Sequence, residues 1–224
     1  MQCPLCYSDD TRLFESVAGI DYQRCHECRL TWMHPQFLPT AEEERQQYDT
    51  HDNRVDSYHY RKFLSRLAEP LEQELRPGAR GLDFGCGPRP ALAAMMEEAG
   101  FPTAIYDPIY FPETAPLEHR YDFITCTEVI EHLHEPRPVL EQLDTLLIEG
   151  GILAVMTRWL TEDEAFANWR YRRDPTHVCF YRIETLEWIA TCFGWSVSFP
   201  ARNVAFFYKG SGVQGQDQDH AGNQ

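Results

Sequence analysis

Four of the eight cysteines occur as two C-x2-C pairs near the N-terminus. Cys3 and Cys6 form the first pair, and Cys25 and Cys28 form the second, with residues 7–24 between them. Four thiolates at this spacing are typical of a closed, tetrahedral zinc site. We therefore predict a structural zinc ion bound by these cysteines, with His26 as an alternative donor. A redox pair or inert thiols would be the other interpretation.

A second chemical signal is the segment 81–90, Gly-Leu-Asp-Phe-Gly-Cys-Gly-Pro-Arg-Pro. Its first residues suit a buried strand, and the rest suit a tight turn before a helix expected over residues 88–98. Gly85 and Gly87 permit positive φ and let a ligand approach the backbone around Cys86. Amides at the start of the helix would point at a polar group of that ligand.

Two acidic residues narrow the choice of ligand. A dinucleotide fingerprint requires a third glycine where this chain has Pro90, which disfavours a nicotinamide cofactor. Asp83, two residues before the turn, would repel a pyrophosphate and attract an ammonium group. Asp107 ends the next predicted strand, 20 residues after Gly87, at the separation typical of an acid that binds ribose hydroxyls.

Residues 169–178 are the densest group of reactive side chains in the chain. Those that we predict to contact a substrate are Trp169, Tyr171, Arg172 and Arg173. Guanidinium groups suit a carboxylate or phosphate, although salt bridges to neighbouring acids are an alternative role. Histidine titrates nearest neutrality, so we predict His177 as a general base, with Asp174 orienting it or the substrate.

The D-x-G-x-G arrangement of Asp83 to Gly87 resembles motif I of the class I S-adenosylmethionine (SAM) methyltransferases, whose cofactor carries an amino group and no phosphate. Residues 125–132 resemble motif IV of small-molecule methyltransferases, including the ubiquinone-biosynthesis O-methyltransferases. The resemblance implies that Thr127 and Glu128, at a strand end, contact the methionine part of SAM. Glu131 and His132 would then cap the following helix or touch the substrate.

Two further segments carry the resemblance. The cysteine-rich start is similar to the zinc ribbon that begins many bacterial methyltransferases, except that Tyr7 and Arg29 replace the glycines usual after each pair. The D-x-x-H-V sequence from Asp174 to Val178 resembles the segment that closes the acceptor side in this family.

The order of predicted strands and helices indicates an α/β fold: a doubly wound, mostly parallel Rossmann-like sheet with terminal antiparallel strands and a small N-terminal zinc ribbon. Only residues 108–120 separate two predicted strands, so the usual third strand is expected to be missing, and no adenine-contacting residue is assigned. The expected division is a zinc ribbon (1–38), a helical cap over the cofactor pocket (39–75), a SAM-binding domain (76–208) and a disordered tail (209–224).

Composition limits the function classes. The formal charge of −15 disfavours nucleic acid as a partner, because phosphate binding depends on lysine and arginine. No apolar run is long enough for a membrane span, and the N-terminus lacks the pattern of a signal peptide, so we expect a cytoplasmic protein. The leading hypothesis is a SAM-dependent methyltransferase for O or N of a small polar or anionic acceptor. An RNA or protein methyltransferase that uses the ribbon for recognition, and a catalytically silent SAM-binding scaffold, are the alternatives.

Overall fold

The computed structural model describes residues 1–50, 55 and 57–210. The predicted helix start at Asp56 and most of the predicted tail lie outside these residues. The described strands are β1 (Thr11–Val17), β2 (Ile20–Cys25), β3 (Thr31–Met33), β4 (Gly81–Phe84), β5 (Thr103–Tyr106), β6 (Tyr121–Thr127), β7 (Leu147–Met156), β8 (Cys179–Phe180), β9 (Ser196–Ala201) and β10 (Val204–Tyr208). The α-helices are α1 (Ala41–Tyr48), α2 (Tyr58–Glu74), α3 (Ala91–Glu98), α4 (Pro136–Leu146) and α5 (Ile183–Phe193).

The larger sheet has the order β5-β4-β6-β7-β10-β9. Its first four strands are parallel, and β10 pairs antiparallel with both β7 and β9. This confirms the predicted mostly parallel sheet with an antiparallel end. Residues 108–120 contain a single 3₁₀ turn, Ala115–Glu118, and β5 lies at the sheet edge, so the third strand is absent as expected.

A smaller sheet contains an N-terminal hairpin formed by β1 and β2. β1 pairs with β2, β2 with β3, and β3 with β8, all antiparallel. Because β8 comes from the segment just after His177, the cysteine-rich start and the second half of the chain share one sheet. This pairing was not predicted.

Prolines lie at the start of α3 and in the interior of α2. Helix α3 begins at Ala91, with Pro90 as its N-terminal flanking residue, so Pro88 lies in the turn instead of the first helical turn. Helix α2 continues through Pro70, although a proline inside a helix removes a backbone hydrogen bond and commonly breaks or kinks the helix. The apolar face of α2 is buried on both sides of the proline, at Leu67 and Leu71, and this packing favours the continuous helix.

Candidate functional site

A cavity of about 1310 Å³ opens at the carboxyl ends of the four parallel strands. Typical small-ligand pockets measure roughly 300–1,000 Å³, so this cavity has room for two small molecules side by side. The predicted site residues that line it are Gly85, Cys86, Gly87, Asp107, Thr127, Glu128, Tyr171, Asp174 and His177.

The turn after β4 requires both of its glycines. Gly85 has φ +74°, and a β-carbon there would come within 2.5 Å of the side chain of Val129. Gly87 has φ +67°, a conformation that residues with side chains adopt at a cost. Its amide donates a hydrogen bond of 2.9 Å to Oδ2 of Asp107, which joins the turn to the end of β5.

Backbone amides fix the orientation of the Asp107 carboxylate. Oδ1 accepts hydrogen bonds from the amides of Ile109 and Tyr110, and Oδ2 accepts the one from Gly87. A carboxylate offers about four acceptor positions. One position therefore remains for a ligand hydroxyl, which is the geometry expected of a ribose-binding acid.

Asp83 lies behind the cavity wall instead of on it. Its side chain is buried in β4, and Oδ1 accepts a hydrogen bond of 2.8 Å from the Thr125 hydroxyl. Burial raises the pKa of Asp83 to about 6. The carboxylate would be stabilised by a positive charge placed nearby.

The end of β6 carries two polar groups. Glu128 has φ +52°, a left-handed conformation that is uncommon for a residue with a side chain, and its Oε2 lies 3.3 Å from the Tyr171 hydroxyl oxygen. The Thr127 hydroxyl oxygen is buried and has no hydrogen-bond partner among the described residues. A buried polar atom of this kind costs free energy until a ligand supplies the partner.

A compact group on the opposite side consists of Glu131, His132, Tyr171 and His177. The Tyr171 hydroxyl donates to Glu131, and the Tyr171 ring lies 4.0 Å from the ring of His177. Nδ1 of His177 is 2.7 Å from the Tyr171 carbonyl, and Nδ1 of His132 is 3.0 Å from the Thr176 carbonyl. Because carbonyl oxygens only accept, both Nδ1 atoms carry protons, and Nε2 of each neutral ring is an acceptor.

The same group has donor atoms suited to a cation. One donor atom from each of Glu131, His132 and His177 lies within 4.8 Å of the others. Glu131 is fully buried, which raises the pKa of its carboxyl well above the usual value, and its Oε2 has no partner among the described residues. Nitrogen and carboxylate donors in this arrangement could hold a divalent metal ion.

The side chain of Asp174 accepts hydrogen bonds from its own loop and from α1. Oδ1 accepts from the amide and hydroxyl of Thr176, and Oδ2 accepts from the side chain of Gln47 in α1. The group that orients the His177 ring is therefore the Tyr171 carbonyl.

The other predicted substrate residues lie away from the cavity. Arg172 donates hydrogen bonds to the Tyr22 hydroxyl and the Ala167 carbonyl. Trp169 packs 5.1 Å from Tyr171 and joins the core. Arg173 is exposed and does not line the cavity.

Sequence reasoning missed several residues of the cavity wall, namely Arg45, Tyr48, Tyr110, Arg158 and Arg170. Arg158 follows the end of β7 by two residues, and a cation at the carboxyl end of a buried strand is a signal that the sequence contains. The others come from α1 and from loops that reach the cavity only in the folded chain.

The sulfur atoms of the four N-terminal cysteines lie close together. The Sγ atoms of Cys3 and Cys28 are 3.5 Å apart, and those of Cys6 and Cys25 are 3.4 Å apart. All four lie within 4.8 Å of one another. Tetrahedral zinc with bonds of about 2.3 Å would separate its sulfurs by about 3.8 Å, so the donor set fits zinc.

Comparisons with known proteins agree with this geometry. A family model described as "Methyltransferase domain" matches residues 48–198, which include every candidate residue outside the cysteine cluster. A search of curated proteins found no match. Among the described residues, none of the helices has the length and hydrophobicity of a membrane span.

One solved structure shows the same fold, and a second has a weaker likeness. An O-methyltransferase family protein from Burkholderia thailandensis is 15% identical with a TM-score of 0.56, over 79% of this chain and 66% of that one. CalO1, a methyltransferase of calicheamicin biosynthesis in its SAH-bound form, is 15% identical with a TM-score of 0.45, over 66% and 54%. This chain thus spans about two thirds of the length of the Burkholderia protein and about half of the length of CalO1. The second likeness carries no further argument.

Proposed function

Because this chain belongs to the methyltransferase-domain family, we propose that it transfers the methyl group of SAM to an oxygen or nitrogen atom of a small polar or anionic molecule. The observation that carries the proposal is the two-sided cavity. Asp107 and the glycine turn form one side, and His177 with Tyr171 forms the other. Methyl transfer is an in-line displacement, so holding the acceptor against the methyl carbon supplies much of the acceleration.

The cofactor would bind along the carboxyl ends of β4, β5 and β6. Asp107 would accept a hydrogen bond from a ribose hydroxyl, since its remaining acceptor position faces no backbone amide. The buried Thr127 hydroxyl would gain its missing partner from the methionine part of SAM, beside Glu128. Asp83 would favour the nearby ammonium group through its charge, acting from behind the turn that contains Cys86.

On the acceptor side, His177 would receive the proton released by the acceptor. Its Nδ1 proton is held by the Tyr171 carbonyl, so Nε2 of the neutral ring is the basic atom. An alcohol, a phenol or an ammonium group must lose its proton around the transition state. Asp174 would support the loop that carries His177, because its backbone carbonyl accepts from the His177 amide at 3.2 Å.

A second mechanism is favoured by the buried, unpartnered Oε2 of Glu131. A divalent ion held by Glu131, His132 and His177 would lower the pKa of an acceptor hydroxyl. Metal analysis separates the two mechanisms. Two ions per chain, one of them lost in Glu131→Gln, would support this site, whereas a single ion lost only in Cys25→Ser would restrict metal to the cysteine cluster.

The direct test of the proposed function is transfer of an isotopically labelled methyl group. The protein is incubated with methyl-labelled SAM and a small-molecule extract, and labelled products are identified by mass spectrometry. A labelled small molecule whose amount falls with Asp107→Ala at SAM concentrations below saturation would support the proposal. Label found only in RNA or protein would favour the large-acceptor alternative, and SAM binding without any labelled product would favour a scaffold.

A further inference from the structure

Three arginines line the cavity without a carboxylate partner. Within the described part of the chain, the side chains of Arg45, Arg158 and Arg170 form no ion pair and no hydrogen bond. The guanidinium of Arg158 instead lies 5.5 Å from the centre of the Tyr171 ring. Unpaired cations at a cavity wall are notable here because acidic residues outnumber basic ones by 35 to 20 in the sequence.

The carboxylates that line the same cavity have partners within the protein. Glu42 accepts a hydrogen bond from the side chain of Gln46, and Glu128 lies 3.3 Å from the Tyr171 hydroxyl oxygen. Glu44 lies 2.8 Å from a ring nitrogen of His134, and Asp107 accepts from three backbone amides. Asp174 accepts from Thr176 and from a glutamine of α1. The acids of the cavity therefore have local partners, whereas the arginines offer guanidinium donors to whatever enters it.

Arg158 and Arg170 are on the acceptor side of the cavity. Arg158 follows the end of β7, and Arg170 directly precedes Tyr171, whose ring contacts His177. Asp107 and the glycine turn are at the ends of β5 and β4, on the other side of β6 in the sheet. Since the Arg158 guanidinium lies over the Tyr171 ring and that ring contacts His177, an anion bound by Arg158 would lie near His177 and not at the cofactor site.

We propose that Arg158 and Arg170 bind a carboxylate of the methyl acceptor, and that the acceptor is an aromatic carboxylic acid. The inference rests on the proposed function and specifies its substrate class. A planar guanidinium matches a carboxylate with two parallel hydrogen bonds. Two aromatic residues of the cavity wall provide surfaces for a ring on this side: Tyr171, whose ring lies 4.0 Å from that of His177, and Tyr48, whose ring lies 5.2 Å from that of His132.

The test compares two probes of nearly the same shape, benzoate and neutral benzamide. Their affinities for protein saturated with S-adenosylhomocysteine are measured by ligand-observed NMR. We expect wild-type protein to bind benzoate at least tenfold more tightly than benzamide. Arg158→Gln and Arg170→Gln should each weaken benzoate binding about tenfold, the scale of one hydrogen bond to a charged group, and leave benzamide unchanged.

Arg120→Gln is the matched control, because it removes the same positive charge at an exposed residue that does not line the cavity. Equal binding of benzoate and benzamide, or full benzoate affinity in both arginine variants, would overturn the inference. So would inorganic phosphate binding more tightly than benzoate, which would assign the arginines to a phosphate group. Absence of S-adenosylhomocysteine binding would instead contradict the proposed function. Calorimetry of the same samples measures the affinity for S-adenosylhomocysteine separately.

Discussion

At the scale of single residues, the proposed reaction depends most on His177. His177→Ala should lower turnover roughly 10²–10⁴-fold, the usual contribution of a general base, while SAM affinity stays unchanged. The defect should shrink as rising pH deprotonates the acceptor without help. Turnover of the labelled acceptor and calorimetry with SAM measure the two effects.

His119→Ala is the control for this variant, since His119 is an exposed histidine that does not line the cavity. Normal turnover in a folded His177→Ala protein would remove the residue from the reaction. A parallel loss of SAM affinity and melting temperature would instead indicate a packing role for its buried ring.

The ionisation of Asp83 should make SAM affinity depend on pH. Burial raises the pKa of its carboxyl to about 6, and the ammonium group of SAM favours the ionised form. Cofactor affinity should therefore be constant from pH 7 down to about pH 6 and then fall by up to tenfold per pH unit. Calorimetry at several pH values should show this decline in wild-type protein and a flat, weaker profile in Asp83→Asn. The same pH profile in both proteins would contradict the assigned role.

The residues predicted around the glycine turn line the cavity more consistently than those predicted for the acceptor side. Glycine spacing and the position of Asp107 follow from local strand–turn–helix geometry. Arg172 shows the limit of such reasoning, because its partner Tyr22 is in another sheet and no local pattern reveals that contact. Arg170, two residues earlier, lines the cavity instead.

At the scale of elements, each C-x2-C turn places a residue other than glycine in the left-handed region. Tyr7 has φ 60° and Arg29 has φ 63°, at the two positions where related ribbons were expected to have glycine. Left-handed backbone costs a residue with a side chain about 1–2 kcal/mol. Arg29→Gly should therefore stabilise the protein by up to about 1 kcal/mol, after the entropy cost of glycine is subtracted.

Chemical denaturation of the metal-loaded protein measures this change. Arg120→Gly is a useful comparison because Arg120 has no positive φ, so there the substitution should destabilise or leave stability unchanged. Destabilisation by Arg29→Gly would mean that the side-chain contacts of Arg29 stabilise the protein by more than its left-handed backbone costs.

Element order was largely predictable because buried strands and amphipathic helices alternate clearly along the chain. Helix α5 begins at Ile183 and ends at Phe193 before the left-handed Gly194, as the sequence pattern indicates. The two-residue strand β8 was not predictable, because so short a segment has no periodicity and exists through its pairing with β3.

At the scale of the whole molecule, the cysteine-rich sheet supports the acceptor side of the cavity. Arg24, only 1% exposed, donates two hydrogen bonds to Asp163, which also pairs with Arg182. The pairing of β3 with β8 begins two residues after His177. We therefore infer that the proposed zinc site helps to position His177.

Zinc removal tests this coupling. A chelated protein, or Cys25→Ser, should lose amide protection around residues 177–182 and lose turnover. SAM affinity should change little, because the cofactor side belongs to the other sheet. Hydrogen exchange and calorimetry on the same samples provide these readouts, with Cys192→Ser as the control for an exposed cysteine outside the cluster. Unchanged protection at 177–182 after complete zinc loss would contradict the coupling.

Calorimetric titration with SAM and with NADH tests the central claim most directly. We predict that SAM binds, that NADH does not compete with it, and that Asp107→Ala weakens SAM binding by about 1–3 kcal/mol, the scale of a lost hydrogen bond to a charged group. Preferential binding of NADH, or SAM binding that is unaffected by Asp107→Ala, would contradict this claim.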